Sequence, residues 1–174
     1  IDLNISKIIY SSSSSVYNSI GSDNNSSNRD LYSSSKLTCE NMIKNFCRKR
    51  KVEFSIARIF NMYGGNDRFS IIFKILEAIK NKKNIHLNNN GESIRDFIHI
   101  KDVCEIYKKL ISLKGSQTVD VGTGKGIRIV DLANSLSSKL KFKLKDISNE
   151  EIENSIADNN FIKDKLKYKN FISL

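Results

Sequence analysis

Residues 6–17 read SKIIYSSSSSVY and residues 32–36 read YSSSK. Ile8, Ile9 and Tyr10 form a short apolar run that predicts a strand over 6–10, ended abruptly by five serines. Tyr32 and Lys36 stand at i and i+4, so on a helix they share one face about a turn apart. A phenol is a poor base near neutrality, and an ammonium beside one favours the ionised form. Such a pair can exchange a proton with a substrate hydroxyl. A solvated helix face has the same spacing and a low-complexity linker the same serines; the order of the two stretches separates these readings. Hydroxyls at the carboxyl end of a strand, followed by a loop and a Tyr/Lys helix, sit where open α/β sheets bind ligands.

Outward from these stretches, 18–30 is Gly, Ser, Asn and Asp with almost no apolar anchor, which predicts a loop. Residues 31–50 carry apolar side chains at 37, 39, 42, 43, 46 and 47. Glu40 comes early and Arg48, Lys49 and Arg50 late, a helix matched to its own dipole. VEFSIARIF at 52–60 predicts a buried strand, followed by a turn at 61–65. A helix is expected over 70–80, short strands over 85–87 and 97–100 with a turn at 88–91 between them, and a helix over 103–113. A strand over 118–121 then runs into GTGKG at 122–126, and a helix follows over 129–140. Strands alternating with helices predict an α/β fold with a mainly parallel sheet.

The 174 residues suit one domain, or two small ones sharing an interface. With 39% hydrophobic and 28% charged residues and no apolar run near the roughly 20 needed to span a bilayer, membrane and disordered classes are excluded. The N-terminus has neither the charged nor the apolar segment of a signal peptide, nor an initiator Met, so the chain is expected to begin inside a longer one. Cys39, Cys47 and Cys104 form no CxxC pair, and a reducing cytoplasm is the expected setting. The net charge of +10 is scattered apart from residues 47–51, which favours compositional drift over nucleic-acid binding. GTGKG fits no phosphate-loop pattern, and His86 and His99 belong to no Cys/His cluster, so no metal site is expected.

Several ordered motifs resemble one family. They are the serine run ending in Val16-Tyr17 with Ser13 at the reactive position, Tyr32-x-x-x-Lys36 followed by Leu37 and Glu40, and Arg58-Ile59-Phe60-Asn61-Met62-Tyr63-Gly64. Gly91-x-x-x-Arg95-Asp96-Phe97 with Asp102, Val119-x-Val121-Gly122-Thr123-Gly124, Ser155-x-Ala157-Asp158 and Leu166-x-Tyr168 follow. The set resembles the extended short-chain dehydrogenases/reductases, specifically the NAD-dependent nucleotide-sugar epimerases and dehydratases. The resemblance implies a partial Rossmann-like parallel sheet, the C-terminal portion of that fold, with a small α/β substrate-binding lobe. Residues 1–60 would belong to the dinucleotide-binding domain and 61–174 mostly to the nucleotide-sugar lobe, with some segments returning to the sheet.

The resemblance implies Tyr32 as general acid/base, Lys36 on the nicotinamide ribose and Ser13 on the sugar hydroxyl being oxidised. Phe60 joins Tyr32 and Lys36 at the cofactor, NAD or NADP. Asn61 and Arg95 join Ser13 at the substrate, a UDP-, GDP- or dTDP-linked sugar; Arg95 has the geometry for a diphosphate, and a structural pair with Asp96 is its alternative. A cytoplasmic homodimer is implied, with the Tyr/Lys helix against its mate, although Leu37, Met42 and Phe46 also suit an intrachain core. The family pattern departs at Asn18, Asn88, Lys167 and Asn170, lacks an Arg near Ser148, and shows no GxxGxxG. Ser14 and Ser15 argue against a 4,6-dehydratase, which carries an Asp-Glu pair there. An epimerase-like activity is the leading expectation, and a truncated, inactive remnant that at most binds a nucleotide sugar is the alternative.

Overall fold

The computed structural model describes residues 5–18, 28–136, 142–145 and 154–174. Most of the 18–30 loop, the last residues of the helix expected over 129–140 and the neighbourhood of Ser148 lie outside them.

Strand β1 spans Lys7–Ser13 and leads through a 3-10 turn at Ser14–Asn18 towards helix α1, Asn28–Arg50, and strand β2, Glu53–Ile59. The strand runs three residues past its apolar core. Parallel pairing with β2 sets Ser11 against Ala57, Ser12 against Arg58 and Ser13 against Ile59. Two parallel strands need a long crossover, and α1 supplies it. Its last turn holds Arg48, Lys49 and Arg50, where their charge complements the helix dipole rather than forming a separate basic arm.

Next come β3 (Asn61–Tyr63), α2 (Ile71–Lys80), β4 (Ile85–Asn88), β5 (Ile94–His99) and α3 (Ile100–Ser112). They are followed by β6 (Gln117–Val121), β7 (Gly126–Arg128), α4 (Ile129–Leu136), β8 (Phe142–Lys145), β9 (Asn154–Ser155) and α5 (Asn160–Asp164). Residues 61–63, expected as a turn, pair in parallel with Phe97, Ile98 and His99 of β5. The expected strand over 97–100 begins earlier, at Ile94, because β7 pairs antiparallel and β9 parallel with its first residues.

The main sheet runs β1-β2-β6, all parallel, with Ser13, Ile59 and Val121 aligned at its carboxyl rim. A second sheet centres on β5, and β4 pairs with β8. Successive residues of β5 point to opposite faces: Ile98 enters the core formed with Ala57, Val103 and Ile106, whereas Phe97 enters that of Ile75, Leu87 and Leu132. β5 therefore joins the parallel sheet's core to the second one. Buried Asp102, at the start of α3, accepts the Tyr168 hydroxyl at 2.5 Å and the Ile172 amide at 3.0 Å, fastening the C-terminal residues to the first core. His99 caps α3 through Nδ1, 3.1 Å from the Lys101 amide, and meets the Tyr63 ring edge-on at 5.1 Å. No helix among the described residues is long and apolar enough to cross a membrane.

Candidate active site

Ser13 is the last residue of β1, at the rim where parallel sheets receive ligands. Its Oγ accepts hydrogen bonds from the Ser15 amide at 3.2 Å and the Ser15 hydroxyl at 3.0 Å, so the 3-10 turn folds back onto it. Across from the strand, Lys36 of α1 donates to the Ser11 carbonyl at 3.0 Å. The same ammonium lies 5.1 Å from the centre of the Tyr10 ring and 5.7 Å from that of Tyr32. Lys36 thus ties the helix face bearing Tyr32 to the strand that ends in Ser13. Tyr32 is 52% exposed, leaving its ring accessible beside that rim.

One turn beyond Lys36, Glu40 is fully buried. Its Oε1 accepts the Ser12 hydroxyl at 2.7 Å and Arg58 Nε at 2.9 Å, and its Oε2 accepts an Arg58 amino group at 2.8 Å. Lys44 adds a longer contact at 3.4 Å. Burial alone would raise the Glu40 pKa; the Arg58 fork, the Ser12 hydroxyl and the Lys44 charge outweigh it and hold the carboxyl below its ordinary range. Arg58 stacks on the Tyr17 ring at 4.8 Å, and the Tyr17 hydroxyl donates to Asp120 at 2.6 Å. Asp120 also accepts the Asp158 amide at 3.3 Å. Burial, with the charge of Asp158, pushes the Asp120 carboxyl up against the opposing Tyr17 hydroxyl and Arg58. This connected series of polar groups is absent from the sequence expectations. Its one legible signal is an acid, Glu40, four residues from both Lys36 and Lys44 on a helix.

Beyond the rim, Phe60 is buried, its amide bonded to the Val121 carbonyl at 3.0 Å. Phe60 lines a cavity of about 370 Å³ together with Ser14, Tyr17, Asp120, Ser155 and Asp158. Its neighbour Asn61 lines a different one of about 480 Å³, with Arg95, Lys74, Phe69, Leu87 and Asn88. The Asn61 side chain is oriented by donation to the Asp96 carbonyl at 3.0 Å, and Arg95 donates to the Ile94 carbonyl at 2.9 Å. Asn61 and Arg95 therefore share one cavity, while Phe60 stands on the other with Ser14.

The GTG turn holds a protein carboxylate. Asp96, fully buried, accepts the Thr123 amide at 3.0 Å, the Thr123 hydroxyl at 2.6 Å, the Gly124 amide at 2.8 Å and the Ala157 amide at 3.2 Å. A Cβ at Gly122 would stand 2.7 Å from an Asp96 oxygen, so the residue must be glycine for the turn to close on that carboxylate. His86 is exposed on β4 and His99 is engaged as a cap.

Residues 2–137 match the model of the NAD dependent epimerase/dehydratase family. The chain is 26% identical over 163 residues to Protein CapI of Staphylococcus aureus, covering 79% of this chain and 49% of that protein. Among solved structures, it is 28% identical to a UDP-N-acetylglucosamine 4-epimerase from Methanobrevibacter ruminantium in complex with UDP-N-acetylmuramic acid. The match has a TM-score of 0.73 over 95% of this chain and 58% of that one. A UDP-glucuronic acid 4-epimerase from Bacillus cereus, in complex with UDP-glucuronic acid and NAD, shares the fold at a TM-score of 0.83 and 19% identity. That match covers 99% of this chain and 59% of the epimerase. The chain spans about half the length of CapI.

Proposed function

The chain belongs to the NAD dependent epimerase/dehydratase family, and from that membership we propose that it carries the catalytic and nucleotide-sugar-binding residues of an NAD(P)-dependent epimerase-like site. One observation carries the proposal. Lys36 is held by the Ser11 carbonyl beside the Tyr32 ring, on the strand whose end is Ser13.

In this reading Tyr32 gives and takes the proton of a sugar hydroxyl, and the Ser13 Oγ hydrogen-bonds that hydroxyl. Lys36 places a positive charge beside the phenol, where it meets the negative charge that develops as the proton leaves. Arg95 and the amide of Asn61 receive the nucleotide diphosphate, Arg95 through the paired donors of its fork. The residues present fit the nicotinamide end of NAD or NADP: Lys36 and Tyr32 lie at the open rim for its ribose, and buried Phe60 offers an apolar wall. When bound, that cofactor supplies reversible hydride acceptance.

The substrate is a UDP-, GDP- or dTDP-linked sugar. Residues 1–60 act as part of the dinucleotide-binding domain and 61–174 mostly as the nucleotide-sugar lobe, with β6 returning to the parallel sheet in support. The free cysteines Cys39, Cys47 and Cys104 favour a cytoplasmic setting. A homodimer built on α1 is supported by its exposed Leu31, Met42 and Phe46. Of the side chains that could have served an intrachain core, Leu37 is half-buried, whereas Met42 and Phe46 stand on the surface.

Tyr32→Phe tests the assignment, because it removes the transferring oxygen while leaving the ring. Turnover of the sugar nucleotide is expected to fall by about 10²–10⁴-fold with an unchanged melting temperature; turnover within threefold or so of the unaltered protein overturns the role.

A further inference from the structure

The cavity that Asn61 shares with Arg95 is cationic: Arg95 and Lys74 line it and, among the described residues, no Asp or Glu does. At about 480 Å³ it lies within the roughly 300–1,000 Å³ of small-molecule sites. Two phenyl rings stand on its wall, Phe97 and Phe69. Phe97 is buried in the second core. Phe69, in the loop before α2, is 87% exposed, more than any other large hydrophobic side chain among the described residues. One apolar side chain in water is ordinary on a protein surface. Phe69 differs because its place is fixed. Its amide and that of Ser70 both donate to Asp67, and Ser70 in turn accepts the Phe73 amide at the start of α2. An accessible ring is thereby held at the edge of the cationic cavity by a hydrogen-bonded corner, and the helix that follows carries Lys74.

We infer that the base of the nucleotide sugar stacks on the Phe69 ring while its diphosphate lies with Arg95 and Lys74. The inference rests on the nucleotide-sugar reading above and adds to it the residue that recognises the base. A diphosphate is drawn to the cations. A base offers a flat π-face, and stacking it on an exposed ring takes apolar surface of both out of water. Phe97, enclosed in the core, has no such face to give. A phenyl ring carries no hydrogen-bonding group, so the contact tells a nucleotide from a bare phosphate and accepts uracil, thymine and guanine alike.

Calorimetry on the 174-residue chain separates this inference from the reading it rests on. UDP, dTDP and GDP are titrated first, and the diphosphate that binds is carried forward. Phe69→Ala is expected to weaken it by about 5–150-fold, the range of a base–aromatic stack, and Phe69→Tyr to stay within about twofold of the unaltered chain. The sequence holds no tryptophan, so Phe69→Trp places a single indole at the contact. Its emission is expected to change as the nucleoside diphosphate saturates the chain and to stay constant with inorganic pyrophosphate. Phe69 lies outside both cores, and all three variants are expected to keep the far-ultraviolet circular dichroism of the unaltered chain. A loss smaller than about fivefold in Phe69→Ala, or an emission that ignores the nucleotide or follows pyrophosphate equally, overturns the inference and leaves the diphosphate assignment standing. Failure of all three diphosphates to bind the unaltered chain overturns that assignment, and the inference with it.

Discussion

Glu40 has no solvent exposure, and its charge is balanced by both arms of Arg58, the hydroxyl of Ser12 and the ammonium of Lys44. Removing one partner of such a pair leaves a buried charge without compensation, so Glu40→Gln is expected to cost about 3–5 kcal/mol in a urea titration. The folded-state pKa of Glu40 lies below its unfolded value. Its contribution is therefore complete above the ordinary carboxylate range and is lost as pH falls through the depressed value. Between neutrality and that acid range, the unaltered protein should lose stability more steeply than Glu40→Gln; parallel pH profiles would remove Glu40 from the account. Of the candidate site, spacing alone aligns Tyr32 with Lys36, whereas Ser13 is singled out by the family motif, since the apolar run predicts a strand that ends at Tyr10. The Glu40–Arg58–Tyr17–Asp120 connection was not legible, since it joins residues 18 and 103 positions apart whose meeting depends on strand register.

The helix that walls the cationic cavity is held at its start by two side chains. Ser70 accepts the Phe73 amide at 3.1 Å, and Asp67 accepts the amides of Phe69 at 2.8 Å and Ser70 at 3.2 Å. Loss of an N-cap hydroxyl typically costs about 1 kcal/mol, so Ser70→Ala is expected to lower the urea midpoint by that free energy divided by the slope, with the slope itself unchanged. An unchanged midpoint would show that Asp67 alone fixes the helix start. Long periodic elements such as α1, α2 and α3 were legible because their apolar faces repeat over several turns. Shorter ones were not. β3 and β7 have three residues each, too few for a period, and both exist through their pairing with β5. Likewise, Ser11–Ser13 look like the end of a strand until β2 supplies partners, at which point ladder pairing overrides local propensity.

At the scale of the whole molecule, Leu31, Met42 and Phe46 leave α1 with apolar side chains in water, at 69%, 66% and 51% exposure. If a second copy covers this helix, the protein sediments as a dimer at micromolar concentration and the double variant Met42→Glu, Phe46→Glu sediments as a monomer with unchanged far-ultraviolet circular dichroism. A monomeric unaltered protein would rule the homodimer out. The order β1-β2-β6 has a further consequence. β1 has β2 on one side and, among the described residues, no strand on the other. That flank is a seven-residue template of backbone donors and acceptors. A strand laid along it in parallel would extend the sheet and carry its own following loop to the rim where Ser13 ends, so whatever seals this border also decides what stands opposite Tyr32.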